Sequence, residues 1–385
     1  MTEHVEQPGA GATPIPASLR GWLGDRRAPL LWWAASRLAV FATALGLYAV
    51  GGRQGYFNRS VLTHPLGILS SWDGKWYRLV AEHGYLLVGN RQSDPAFFPG
   101  FPLLLSLAHS AGVPVDLAGI AIANLAFLGA LLAFHELSLT VLPRPDADRA
   151  TAALAIFPVG FVFSMSYPQS LVLLAITLAP LLALRRRWLA VAAVAGFGAL
   201  CRPEALFVVV PLAGIAWSQR RRLRPTERAA ALAALAAPVA ALVSYVLYLG
   251  WLLDDPMAWS QAQLAWGRQF SVAGAFHALG QIPSLVGQNP WLVRDVVSLA
   301  VYFALLAYGL HRGLPRTWLA AGLLIVLLPL FSGTVVSEAR FGLVVPPLYW
   351  AIAVALRRRR DRKLAAATAL ILLIVCTATL PNVFP

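Results

Sequence analysis

Charge is scarce in this chain. Of 385 residues, 12% are Asp, Glu, Lys or Arg and 58% are hydrophobic, where a soluble domain carries about 25% charge. That deficit excludes an ordinary water-soluble domain. Two cysteines, Cys201 and Cys376, stand far apart in apolar surroundings, so no disulfide framework or thiolate metal site is expected. His64, His83 and His277 lack a zinc-ligand spacing, and no metal is implied. There is no G-x-x-x-x-G-K-[ST] loop to support ATP use. No apolar core precedes Ala28, so no cleavable signal peptide is expected, and residues 1–29 read as a disordered cytoplasmic tail. Acids are scarcer than bases, 17 against 31. The bases cluster at the ends of apolar runs, as in Arg185–Arg187, Arg220–Arg222 and Arg357–Arg360. That distribution is a positive-inside signature and argues against nucleic-acid binding.

What the chain has is apolar runs of roughly 14 to 25 residues, the mark of a polytopic membrane protein. Candidate segments are Leu30–Val50, Phe97–Gly112, Leu117–Leu142, Ala150–Ser164, Pro168–Leu184, Trp188–Leu200 and Ala205–Trp217. Arg228–Leu252, Trp291–Leu310, Trp318–Phe331, Phe341–Leu356 and Ala365–Leu380 follow. The expectation is an all-α bundle of about ten to twelve spans in one membrane domain, residues 30–385. With the Arg clusters inside, Trp188–Trp217 must be two short helices broken at Cys201-Arg202-Pro203-Glu204, because proline cannot continue a helix. Ala150–Leu184 then reads as a hairpin with its wet apex at Ser164–Gln169. Phe97–Gly112 is short, opens with prolines and reads as re-entrant or interfacial. The polar stretches 51–96 and 254–290, both apices and the turn Ser337–Arg340 all fall on the non-cytoplasmic face.

The densest polar and aromatic cluster is Trp72-Asp73-Gly74-Lys75-Trp76-Tyr77-Arg78, running to Glu82-His83-Gly84-Tyr85. Read as a helix over 71–82, it places Trp72, Trp76 and Val80 on one face and pairs Arg78 with Glu82. Gly84 ends it in the left-handed region. Such a helix lies in the membrane interface, anchored by tryptophans. An aromatic belt with solvated charges would look similar. An acid set between tryptophans beside a long external loop can instead be tuned to act as a base, which makes Asp73 the candidate catalytic residue. Arg202, Arg268 and Arg340 sit near external ends of apolar segments, where arginine is costly without a carboxylate or phosphate partner. They are candidate phosphate ligands. Salt bridges of Arg202 with Glu204 and Arg340 with Glu338 are the plainer alternative. Gln263 and Trp266, with Arg268, belong to a second interfacial helix whose amides and indole suit a carbohydrate.

Taken in order, Trp72-Asp73-Gly74-x-Trp76-Tyr77, Glu82-His83-Gly84-Tyr85, Phe97-Phe98-Pro99-x-Phe101-Pro102, Ser164-x-x-Tyr167, Arg202-Pro203, Gln263-x-x-Trp266-x-Arg268 and Ser337-x-x-Arg340-Phe341 resemble the PIG-V family. These are the GPI mannosyltransferase II proteins and their actinobacterial relatives. The resemblance runs over about residues 30–360. It implies a GT-C fold, and a polyprenyl-phosphate-mannose donor used outside the cytoplasm, with Asp73 as the acid of the first external loop. Trp72, Lys75, Trp76, Tyr77, Arg78, Glu82, His83, Tyr167, Arg202, Gln263, Trp266, Arg268 and Arg340 become candidate donor- or substrate-binding residues. Where the family has an acid after Ser-x-x-Tyr, Pro168-Gln169 stand here. The expected activity is inverting mannosyl transfer to a glycolipid, glycan or protein acceptor at the plasma membrane, without cofactor. The composition is bacterial in character, which disfavours a GPI anchor as acceptor. The rivals are a flippase for a lipid-linked sugar and a non-catalytic subunit of an envelope-glycan assembly complex.

Overall fold

The computed structural model describes residues 26–54 and 64–383. The tail expected at the N-terminus falls almost wholly outside them, as does the part of the first external loop over 55–63. Every regular element among the described residues is an α- or 3-10 helix. Five helices are long and apolar enough to cross a membrane: Arg27–Gly51, Val115–Leu139, Pro225–Leu252, Val293–His311 and Asp361–Thr379. Five shorter apolar stretches accompany them: Gln169–Leu184, Trp188–Cys201, Pro203–Gln219, Arg316–Phe331 and Pro346–Ala355. This is the architecture of a multi-pass membrane protein. Large apolar side chains on the outer helices, such as Leu38, Leu125, Leu247 and Trp251, are exposed, as a lipid-facing surface requires. The short helix Pro346–Ala355 carries Leu348, Tyr349 and Trp350 fully buried. Trp350 packs edge-on to Trp318 at 5.3 Å and donates its indole N–H to Ser138 at 2.8 Å.

Several breaks fall where the sequence places them. Trp188–Cys201 ends at Arg202, whose backbone is extended (φ −163°, ψ 146°), and Pro203 opens a new 3-10 turn. Phe97–Gly112 contributes only the helix Gly100–Ser110. At 1.5 Å per residue, that is about half a bilayer core.

Other expectations need correction. Ala150–Ser164 is not one helical segment. It divides into the helix Arg144–Ala155 and the 3-10 turn Gly160–Ser164. Phe341–Leu356 is broken at 342–345. Residues 161–170 form no wet apex, because every one of them is buried. The reason is Arg37, in the middle of the first long helix and 3% exposed. It donates to Ser164 Oγ at 2.7 Å and to the Gly160 carbonyl at 3.2 Å, and lies 4.6 Å from the Phe127 ring centroid. Ser164 in turn donates to Asn124 at 2.8 Å. A buried charge must be satisfied by polar groups in the protein, and this one draws the 160–167 segment inward.

Candidate active site

Asp73 is the first residue of the helix Asp73–His83. The chain reaches it through the buried turn Gly67–Ser70 and through Trp72, held at φ 56°. A bulky residue at positive φ is strained and persists only where its surroundings fix it. Here the Trp72 indole N–H donates to the Leu380 carbonyl at 2.8 Å. The Ser166 N–H donates to the Leu69 carbonyl at 2.7 Å. Tyr167 Oη accepts the Asp73 N–H at 2.9 Å and donates to the Ser71 carbonyl at 3.4 Å. The inward-drawn 160–167 segment is therefore the floor on which Asp73 is mounted. Burial, with the Asp73 charge adding to it, pushes the Tyr167 phenol well up, so it stays a neutral hydrogen-bonding group.

Arg340 donates to Asp73 Oδ2 at 2.6 Å, across 267 residues of sequence. The two side chains are 4% and 9% exposed. Arg340 therefore pairs with Asp73 and not with Glu338. Its second terminal nitrogen donates to Ser337 Oγ at 2.9 Å, and its guanidinium lies 5.5 Å from the Tyr167 ring centroid. Ser337 sits at φ 71°. That turn is braced by Asp295, whose carboxylate accepts the Ser337 N–H at 3.2 Å and the Ala339 N–H at 2.9 Å. Asp295 is 1% exposed, and sequence reasoning missed it. Its only local signal is an acid opening an apolar helix.

Arg202 and Arg268 complete the cluster. Arg202 is bonded through Nε to the buried carboxylate of Glu204, the pair the sequence allowed, though Glu204 is 1% exposed and not at a wet apex. The Arg202 and Arg268 guanidiniums lie 5.1 Å and 5.9 Å from the Phe341 ring centroid. Arg268 also reaches the Val336 carbonyl at 3.5 Å. Burial, then the positive charges of Arg202 and Arg340, push the Arg268 guanidinium down to about 10. Three guanidiniums thus share one site and repel one another. Glu338, fully buried, has no hydrogen-bond partner for either carboxylate oxygen among the described residues. Burial first, then the nearby Asp295 charge, raises its pKa well above the ordinary carboxylate range.

These groups open on a cavity of about 390 Å³. Asp73, Tyr77, Arg202, Gln263, Trp266, Arg268 and Arg340 all line it. Phe97 and Trp266 give it an aromatic wall, meeting edge-on at 5.5 Å. Trp76 is not on the lining but supports that wall, stacking on Phe97 at 5.8 Å and meeting Trp266 edge-on at 5.4 Å. Gln263 and Trp266 donate to the carbonyls of Ala96 and Ser93, both at 3.2 Å, tying the helix Ala258–Ala265 to the first loop.

Other candidates lie elsewhere. Lys75, Glu82 and His83 are on the exposed side of their helix. Arg78 does not pair with Glu82. It reaches Asp116 at 3.0 Å on the next long helix, because Glu82 points outward. Trp72 precedes the helix and so does not share the face of Trp76 and Val80. Gly84 ends the helix at φ 78°, as expected, although its ψ of −166° takes it beyond the left-handed helical region into one reserved to glycine.

No family model matches the chain. It is 35% identical over 117 residues to GPI alpha-1,6-mannosyltransferase 2 of Mus musculus. Identity to the protein of the same name from Homo sapiens is 34% over 117 residues. This partial homology supports the PIG-V family. In both cases the matched stretch covers 28% of this chain and 23% of the relative's length.

Proposed function

We propose that the chain is a membrane-embedded mannosyltransferase of GT-C type. It moves mannose from a polyprenyl-phosphate-mannose donor to a hydroxyl of an extracytoplasmic glycolipid, glycan or protein, with inversion at the anomeric carbon. The carrying observation is the buried Asp73–Arg340 pair at a cavity with two further guanidiniums. The partial homology to named mannosyltransferases is its companion.

In the resting site, Arg340 holds Asp73. An arriving donor phosphate competes for that guanidinium, since arginine binds phosphate strongly. Asp73 is thereby released to accept the proton of the acceptor hydroxyl. The acceptor oxygen attacks the anomeric carbon as the bond to the phosphate oxygen breaks. Its electron pair leaves with polyprenyl phosphate, stabilised by Arg202, Arg268 and Arg340. Gln263, Phe97 and Trp266 contact the sugar, and the prenyl chain stays in the bilayer. The plasma membrane is the proposed location, with the site on its outer face, opposite the Arg-rich ends.

The test is transfer of radiolabelled mannose from polyprenyl-phosphate-mannose in membranes carrying the chain or its Asp73→Asn variant. Transfer with wild type and its loss in the variant support the reading. Lipid movement across the bilayer without a change in product mass would replace it with a flippase.

A further inference from the structure

A second cavity, of about 650 Å³, lies at the opposite, Arg-rich end of the bundle. The helices Arg27–Gln54, Arg144–Ala155, Pro346–Ala355 and Arg359–Thr379 enclose it. Its walls are apolar, with Ala152, Ile156, Phe157, Ile352 and Ala366 among them. Its rim is cationic, from Arg149, Arg362 and Lys363.

The rim holds more positive charge than its acids neutralise. Arg149 is ion-paired with the buried Asp146, but Asp146 also accepts from Arg357 at 2.9 Å. Asp148, the one carboxylate among the described lining residues, sits 2.8 Å from the buried His135. Burial, then the charges of Arg362 and Arg357, push the Arg149 guanidinium down. The Nε of Arg362 is shielded from water and has no hydrogen-bond partner among the described residues. A cationic rim above an apolar chamber complements an amphiphile with an anionic head, and basic pockets between membrane helices on the cytoplasmic side suit phospholipid headgroups.

We propose that this cavity binds an anionic phospholipid of the cytoplasmic leaflet, its phosphate on Arg362 and Lys363 and an acyl chain along Ala152, Ile156 and Ala366. The site is separate from the Asp73 cavity and does not depend on the reading of that cavity.

The test is native mass spectrometry of the full chain in detergent, titrated with phosphatidylglycerol, with phosphatidylcholine and with inorganic phosphate. Wild type is expected to retain phosphatidylglycerol at least tenfold better than phosphatidylcholine. Each rim cation contributes about fivefold, so Arg362→Gln with Lys363→Gln lowers retention about 25-fold. Ala366→Trp, which keeps every charge and fills the chamber, lowers it comparably. Equal retention of the two lipids overturns the proposal, as does undiminished retention in either variant. Displacement of phosphatidylglycerol by equimolar inorganic phosphate overturns the lipid as occupant.

Discussion

Asp73→Asn separates the base role from the structural one. The change keeps the side-chain volume and an oxygen acceptor for Arg340, but removes the charge and the proton acceptor. At an effective dielectric of about 20, unit charges 4 Å apart attract by about 4 kcal/mol. Protonating Asp73 with Arg340 still in place would forfeit energy on that scale, or about three decades in rate. On the proposed mechanism the ion pair of 2.6 Å opens before chemistry, and the donor phosphate is what opens it. In the variant, Arg340 is already available to phosphate. The donor KM should stay level or fall, while kcat drops by about 10²–10⁴, the worth of a general base. The assay is initial-rate transfer of radiolabelled mannose over a range of donor concentrations. A thermal-unfolding curve on the same preparation establishes that the variant folds. A folded Asp73→Asn protein with kcat within about threefold of wild type refutes Asp73 as base. A loss confined to donor KM refutes the exchange of Arg340 from carboxylate to phosphate.

Asp295→Ala leaves the N–H groups of Ser337 and Ala339 without their acceptor. It should lower stability by about 1–3 kcal/mol, read as a fall in Tm, and reduce kcat by loosening Arg340. Gly100→Ala would place a Cβ 2.8 Å from the backbone nitrogen of Cys201. Backbone cannot give way cheaply, so a loss of about 1–3 kcal/mol is expected in thermal unfolding. Glu338 has a folded-state pKa raised above its unfolded value. Its contribution is fully present below the ordinary carboxylate pKa of about 4.3 and is lost as pH rises toward the raised folded value. Glu338→Gln, which mimics the protonated acid, should therefore gain Tm over wild type progressively as pH rises above about 4.3, whereas a difference that does not change with pH would contradict this.

Local signals carried much of the fold. Pro203 after Cys201-Arg202 marks a break because proline cannot extend a helix, and the chain does turn extended there. The positive φ of Gly84 followed from its place after a helical pattern. Five of the long apolar runs are helices of membrane-crossing length. Hydropathy misled at Ala150–Ser164, where one apolar stretch hides a helix end, a turn and a 3-10 segment. At the site, Asp73 and the three arginines were legible as charges that an apolar chain would not otherwise keep. Their partners were not. Arg340 meets Asp73 across 267 residues, and Arg37 meets Ser164 across 127. No local pattern encodes such a pairing, so the plainer alternative for Arg340 named only the adjacent acid Glu338.

That Arg340 is held by Asp73 and not by Glu338 bears on how the site works. With Glu338 pushed toward its neutral form, the acids paired with the three arginines are Asp73, on Arg340, and Glu204, on Arg202. Glu204 is committed to Arg202, and Arg268 has a backbone carbonyl where the other two have carboxylates. A buried site with surplus positive charge is unfavourable by itself, because desolvation is not repaid by pairing. An anion entering the cavity removes that imbalance, and in doing so it competes for the guanidinium that restrains Asp73. On the proposed mechanism, donor binding and release of the base are then one event, and a site without donor keeps its carboxylate occupied. Arg268→Gln should relieve the crowding, raising Tm while weakening donor affinity at least tenfold. A variant that lost both stability and affinity would show that Arg268 serves the fold and not the phosphate.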